Sequence, residues 1–316
     1  MVSEFRNFIT KSQYKPYKYL IILSLSCPFS HQVHISYILK KLQMHIVFTY
    51  PVKSESKGWY FVDDNDELPP CQPDILNHKY LSEYYFESDS DFSGKCSVPV
   101  LYDMDSNKII NNNSNDIIKM FNELNPLFNY LPVNLFPQIL QMNNFIHLLS
   151  TYIFKAGMTK DQEEYNDNAS LCYYSLDTLN MVLATTPYIN GSLLTESDIK
   201  LFSLIARYDT GYATVFKLNW KYIRTDYPSI LNWAKRMYLL VGESVNINHI
   251  KLGIYSKEMG WNKDGIIPLG RGFEWEEKEI CKMKNKKKLT YYNYWEDQKY
   301  KIVLILMLVV LLIIVK

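Results

Sequence analysis

This sequence carries no strong charge of either sign, no paired-cysteine motif and no leader-like start, and each absence removes a class of function. Lys and Arg number 34 against 33 Asp and Glu, a formal net charge of +1, so no global electrostatic attraction favours nucleic acid as a partner. The five cysteines, Cys27, Cys71, Cys96, Cys172 and Cys281, are odd in number and share no spacing with a zinc site or a disulfide framework. No metal is expected, and a reducing compartment is the simpler setting, in which each thiol is packing material or a reactive group. The start, Met1-Val2-Ser3-Glu4-Phe5-Arg6-Asn7-Phe8, lacks a basic segment followed by an apolar run, so no secretory signal is expected.

What is present begins with enough material for a core. The chain has 316 residues, 47% of them hydrophobic, sufficient for one large domain or two small ones. The apolar run from Ile302 to Val315 is uninterrupted. As helix it would span roughly 21 Å at 1.5 Å per residue, against about 30 Å of hydrocarbon in a bilayer. A buried helix would alternate with polar positions, so the reading is a C-terminal apolar helix acting as a single-pass anchor. That expectation puts the protein on a membrane with its catalytic part facing the cytoplasm. Residues 271–301 before it, with Lys286-Lys287-Lys288, read as a charged tether.

The first part of the chain alternates strand and helix signals. Lys18 to Leu25 reads as a buried strand, Phe29 to Leu42 has apolar residues at helical spacing, and His45 to Tyr50 reads as a second strand. Residues 58–91 read as a long loop with some helix. Ser97 to Tyr102 and Lys108 to Ile110 are short strands about a turn-rich stretch, and Ser114 opens a helix through Phe121. This β-α-β, then β-β-α order is that of a thioredoxin-like domain. After a linker at 125–132 the pattern is helical: Leu135, Ile139, Leu140, Met142, Ile146 and Leu149 form a buried stripe. Thr195 and Asp198 have capping-box spacing, with Leu194 placed to staple onto Ile199.

Cys27 stands between strand and helix, with Pro28 at the first helical position, where a missing amide costs nothing. That placement sets the thiol against the positive end of a helix dipole and makes it a candidate nucleophile; the other reading is a small packed residue. Phe29-Ser30 in place of a second cysteine suits a mixed disulfide better than an internal dithiol. Val98-Pro99 lies where the pattern reads as strand, so it is either a cis peptide at a strand's end or an edge-strand proline. A cis peptide there would leave the Val98 backbone groups to an extended ligand. Asn113-Ser114 opens a helix whose free amides and hydroxyl could hold a carboxylate, or Ser114 is simply a cap.

Cys27-Pro28-Phe29-Ser30-His31-Gln32 resembles the Cys-Pro-Trp-Ala-His-Arg signature of the glutathionyl-hydroquinone reductases, the Xi-class glutathione transferases. The likeness continues through Gly58-Trp59, the stretch from Ser93 to Leu101, Ile110 to Ser114, Lys155-Ala156-Gly157, Arg207-Tyr208-Asp209, Phe216-Lys217, His249-Ile250-Lys251 and Ile267 to Gly270. The resemblance implies an α/β plus all-α glutathione-transferase fold, with a thioredoxin-like glutathione-binding domain at 1–124 and an all-helical domain at 134–270. The tether at 271–301 and the apolar segment at 302–315 fall outside it. It also implies a homodimer, glutathione as co-substrate and a glutathionylated aromatic substrate attacked by Cys27. Trp59 would stack on glutathione, Val98 would hold its cysteinyl part, and Ser114 its γ-glutamyl carboxylate. Lys95 and Asn113 stand where the family has Arg and Glu in the glutathione site. Tyr212 and Tyr255 match tyrosines that line the family's aromatic pocket. Phe29, Gln32 and Phe154 also depart from the pattern, with Phe154 standing where the family has Tyr.

Two other readings keep the same fold. A noncatalytic, metaxin-like membrane adaptor would need no thiol at Cys27, and an Omega-like thiol transferase or dehydroascorbate reductase would use that thiol on another substrate.

Overall fold

β1 (Tyr19–Leu23) is buried at every position because both faces of its sheet are covered. Tyr19, Ile21 and Leu23 enter one apolar cluster, while Leu20 and Ile22 enter another, which is the period-two alternation of a strand read from inside. In the computed structural model, residues 5–51, 58–61, 75, 77–126, 128–257 and 260–269 are described.

The chain crosses from β1 through α1 (Pro28–Lys40) to β2 (His45–Phe48), which pairs parallel to β1 with Leu20 opposite His45. Tyr50–Pro51 (β3) and Trp59–Tyr60 (β4) form a small antiparallel pair inside what the sequence reads as strand end and loop. α2 (Leu81–Ser88) follows, then β5 (Val100–Asp103) and β6 (Lys108–Asn111), then α3 (Ser114–Leu124). β5 runs antiparallel to β1, with Ile22 opposite Val100, and β6 runs antiparallel to β5, with Asn111 opposite Leu101. The resulting four-stranded sheet has the order β2-β1-β5-β6. This register positions the site: the end of β1, the start of β5 and the end of β6 lie at the same end of the sheet. The loops carrying Cys27, Val98 and Ser114 therefore converge.

The second half is helical, as expected: α4 (Phe136–Met158), α5 (Gln162–Thr185), α6 (Glu196–Arg207), a single π turn at Tyr208–Tyr212, then α7 (Ala213–Val215), α8 (Ile223–Asp226), α9 (Pro228–Val241) and α10 (Ile247–Ile254). Together with the sheet this is a glutathione-transferase fold, a thioredoxin-like layer followed by a helical domain. α6 starts at the expected capping box. The Asp198 carboxylate accepts from the Thr195 and Ile189 amides at 2.8 and 3.0 Å, and from the Thr195 hydroxyl and Trp233 indole at 3.0 and 2.9 Å. One apolar cluster runs without a break from α1 and α3 into α4, α5, α6 and α9, so the two halves share a core.

The expected membrane placement is corrected. Among the described residues no helix is long and apolar enough to cross a membrane. The two longest, α4 and α5 with 23 and 24 residues, are long enough but carry polar faces: α5 alone contains Glu163, Glu164, Asp167 and Asp177. A spanning helix needs about 20 predominantly apolar residues, and the 302–315 run is shorter than that. That run and the tether at 271–301 lie outside the described residues.

Candidate active site

Ser24, Leu25 and Ser26 leave the sheet after β1, and the turn closes with the Cys27 amide donating to the Ser24 carbonyl at 3.0 Å. Cys27 is the N-cap residue of α1 in an extended conformation, with Pro28 at the first turn, as its sequence context predicts. Its half-buried thiol makes no capping bond to the helix amides. The sulfur instead lies 3.9 Å from the Val98 carbonyl oxygen, so the nucleophile candidate faces the backbone of the next loop.

Val98-Pro99 is the cis peptide and not an ordinary edge proline. The segment before it is held by Tyr85, which sequence reasoning missed: its hydroxyl donates to the Ser97 carbonyl at 2.7 Å and accepts from the Ser97 amide at 3.1 Å and the Asn112 side chain at 3.0 Å. Burial pushes this phenol above its ordinary pKa, which keeps the O–H available as a donor.

Ser114 is buried at the first position of α3. Asn113 is the N-cap, and its side-chain oxygen accepts from the Asn115 and Asp116 amides at 3.1 and 3.2 Å. The residue that replaces the family's Glu thus has its acceptor committed to the helix. Trp59 is half-buried on β4 and packs against the outer apolar cluster, and Lys95 is exposed on the loop before Val98.

The helical half closes over this edge. Tyr212 is buried in the π turn, a geometry that often marks functional positions. Its ring stacks on Phe216 at 5.4 Å and meets Phe154 edge-on at 5.7 Å. Its hydroxyl has no hydrogen-bond partner among the described residues, and burial raises its pKa. The other expected tyrosine differs, because Tyr255 spends its hydroxyl on the Thr210 carbonyl at 2.9 Å and so ties the end of α10 to the π turn. A cleft of about 510 Å³ opens beside α1 and α4, lined by Phe29, Thr151, Phe154, Lys155 and Met158 among others. Phe29, two residues after Cys27, is exposed to it.

Other matched motifs resolve into packing. A Cβ on Gly157 would stand 2.2 Å from the Phe216 ring, so only glycine lets that ring lie on α4. The Asp209 carboxylate accepts from the Ile223 and Arg224 amides at 2.8 and 3.0 Å, capping α8.

Arg207, the last residue of α6, stands in the sequence only as part of the matched Arg207-Tyr208-Asp209 motif, with no role attached. It is fully buried and donates to the Leu25 carbonyl at 2.5 Å, to Ser26 and Cys27 carbonyls at 3.3 Å each, and to Ser203 at 2.6 Å. It also lies 2.8 Å from His31 Nδ1. Because the Ser244 hydroxyl donates to Val241 at 2.6 Å, it accepts from His31 Nε2 at 2.9 Å. Nε2 therefore carries the proton, and Nδ1 accepts from Arg207. Burial holds the His31 pKa well below the ordinary histidine range, consistent with that neutral tautomer. An arginine flanked by Leu204, Ile205 and Ala206 was the available signal.

A family model for the glutathione S-transferase N-terminal domain matches residues 26–124. A protein described as glutathione S-transferase omega-like 2 of Schizosaccharomyces pombe is 32% identical over 289 residues, covering 85% of this chain and 91% of that one. Glutathionyl-hydroquinone reductase YqjG of Escherichia coli is 31% identical over 264 residues, covering 80% of this chain and 79% of its own. The glutathione-bound structure of YqjG superposes with a TM-score of 0.80 at 28% identity, covering 86% of this chain and 94% of that chain. The Xi glutathione S-transferase of Phanerochaete chrysosporium superposes with a TM-score of 0.79 at 28% identity, over 86% and 96%.

Proposed function

This chain belongs to the glutathionyl-hydroquinone reductase family, the Xi class of the glutathione transferases, and on that premise we propose that it reduces glutathionyl-hydroquinones through a mixed disulfide on Cys27. It is a glutathione-dependent enzyme, and glutathione is its co-substrate. The Cys27 thiolate attacks the sulfur of the conjugate. The sulfur–arene bond breaks, its electron pair goes to the ring carbon, and that carbon takes up a proton, so hydroquinone leaves and the Cys27–S–S–glutathione bond forms. A second glutathione, as thiolate, attacks the glutathione sulfur of that disulfide, releasing glutathione disulfide and returning the Cys27 thiolate. The two sulfurs are oxidised to the disulfide and the ring is reduced, so no outside reductant is needed beyond glutathione.

The observation that carries this reading is the 3.9 Å approach of the Cys27 sulfur to the Val98 carbonyl beside the cis-proline. An extended cysteinyl unit pairing with the Val98 backbone would bring its own sulfur to Cys27. In this reading Ser114 and the first turn of α3 take the γ-glutamyl carboxylate, Trp59 and Lys95 flank the tripeptide, and Asn113 stands near its ammonium end. The aromatic part of the conjugate lies toward Phe29 and Phe154, with Tyr212 and Tyr255 behind them. We take the glutathione-binding unit as residues 1–124 and the helical unit as 134–270, and the active species as a homodimer.

Cys27→Ala is expected to lose reductase activity by at least about a thousandfold, the scale on which removing a sole nucleophile acts, with an unchanged circular dichroism spectrum. Full turnover by that variant would refute the chemistry. The relative described as omega-like keeps one second reading open, a thiol transferase. Faster turnover of a small mixed disulfide than of a glutathionyl-hydroquinone would favour it. The noncatalytic membrane adaptor finds no support: the relatives matched are described as reductases and transferases, and among the described residues no helix can span a bilayer.

A further inference from the structure

Resting on Cys27 as nucleophile, we propose that Arg207 is its positioning residue: its guanidinium fixes the turn that presents Cys27 and supplies the counter-charge to the Cys27 thiolate. Arg207 comes from the helical half and reaches across to three consecutive carbonyls, Leu25, Ser26 and Cys27. A planar fork with five N–H groups can satisfy several acceptors at once, and a lysine cannot copy it.

The turn is gripped from a second side by α10. His249 Nε2 lies 3.3 Å from the Ser24 hydroxyl, and a Cβ on Gly253 would fall 1.9 Å from Ser26 Cβ. The backbone that presents the nucleophile is therefore set by the helical half and not by the sheet alone.

Charge makes the second part of the case. A guanidinium stays ionised in proteins, and a buried charge needs a partner of opposite sign. Among the described residues, no carboxylate is within ion-pair distance of Arg207. The carbonyls and His31 Nδ1 satisfy its N–H groups but carry no net charge. Among the described residues, four titratable groups face it: His31 from α1, His249 from α10, Tyr212 from the π turn and Cys27 from the turn itself. Burial holds both histidines neutral and the Tyr212 phenol protonated. Of these four, Cys27 is the one left to answer the charge.

The test follows alkylation of Cys27 by iodoacetamide, read by peptide mass spectrometry across pH, in full-length chains carrying Arg207→Met or Arg207→Lys. Alkylation needs no glutathione, so the result stands whether or not the reductase chemistry does. Near pH 6, Arg207→Met should react about tenfold more slowly than the unsubstituted protein, while its rate near pH 9.5 stays within about twofold, the effect of removing one adjacent opposite charge. Arg207→Lys should recover most of the loss near pH 6. A folded Arg207→Met with the unsubstituted rate throughout would overturn the proposal.

Should Arg207→Met fail to fold, Arg207→Gln takes its place in the same alkylation, since its amide keeps a donor for the carbonyls of the turn and removes the charge. A folded Arg207→Gln with the unsubstituted rate near pH 6 would overturn the proposal.

Discussion

At Asn113 one side chain has two duties that conflict. The family's Glu at this position offers charge to a ligand, whereas Asn113 gives its oxygen to the first amides of α3. Glu is one methylene too long to cap in that geometry, so restoring it would trade a cap worth about 1 kcal/mol for a charge. Asn113→Asp avoids the trade, because Asp caps as well as Asn and adds a negative charge at a helix N-terminus. In the proposed binding mode it should tighten glutathione by about 1 kcal/mol, the surplus of a charge-assisted over a neutral hydrogen bond. Titration calorimetry checks this, and weaker binding would mean that the glutathione ammonium does not approach α3. Gly157 gives a residue-scale prediction about stability. Gly157→Ala forces a Cβ into the buried Phe216 ring, and overpacking of this kind costs about 1–3 kcal/mol. Urea unfolding should show that loss, and because Phe216 stacks on Tyr212, turnover should fall with it.

Among the elements, α6 joins the Cys27 turn to the helical core, with Arg207 at one end and Asp198 near the other. Asp198 is fully buried, and burial outweighs its donors so that its pKa is pushed up to about 6 from an ordinary 3.8. A carboxyl that binds its proton more tightly folded than unfolded contributes stability that is fully present below pH 3.8 and lost as pH rises through about 6. Asp198→Asn removes that titration and sets an amide N–H₂ or a lone oxygen against donors meant for a carboxylate. It should cost about 1–3 kcal/mol. The gap between the two proteins should be wider at pH 4.5 than at pH 7, and a gap that widens toward pH 7 would show hydrogen bonding, not burial, dominating Asp198.

For the whole molecule, what could be read from sequence follows from how local each signal is. Cys27, the Pro99 loop, Ser114 and the Asp198 box are each specified by residues within a few positions, so their local geometry stands in the sequence. The helical half also announces itself by periodicity. What stayed hidden joins separate elements: Arg207 contacts residues 180 or more positions away at the Cys27 turn, and Tyr85 on α2 braces the loop at Ser97. The small β3–β4 pair was hidden for a different reason, since two-residue strands leave no alternation to detect. Tyr212 and Tyr255 look equivalent as sequence matches, yet one hydroxyl is unpartnered among the described residues and the other is bonded to Thr210. In the proposed mechanism glutathione passes through a disulfide on the Cys27 sulfur. Incubating the full chain with a glutathionyl-hydroquinone, quenching early and mapping peptides by mass spectrometry tests that directly. A glutathionyl group on the Cys27 peptide, removed by added glutathione, with hydroquinone released in step, is the predicted result. Hydroquinone release with Cys27 unmodified at every time point, and equal release by Cys27→Ala, would contradict it.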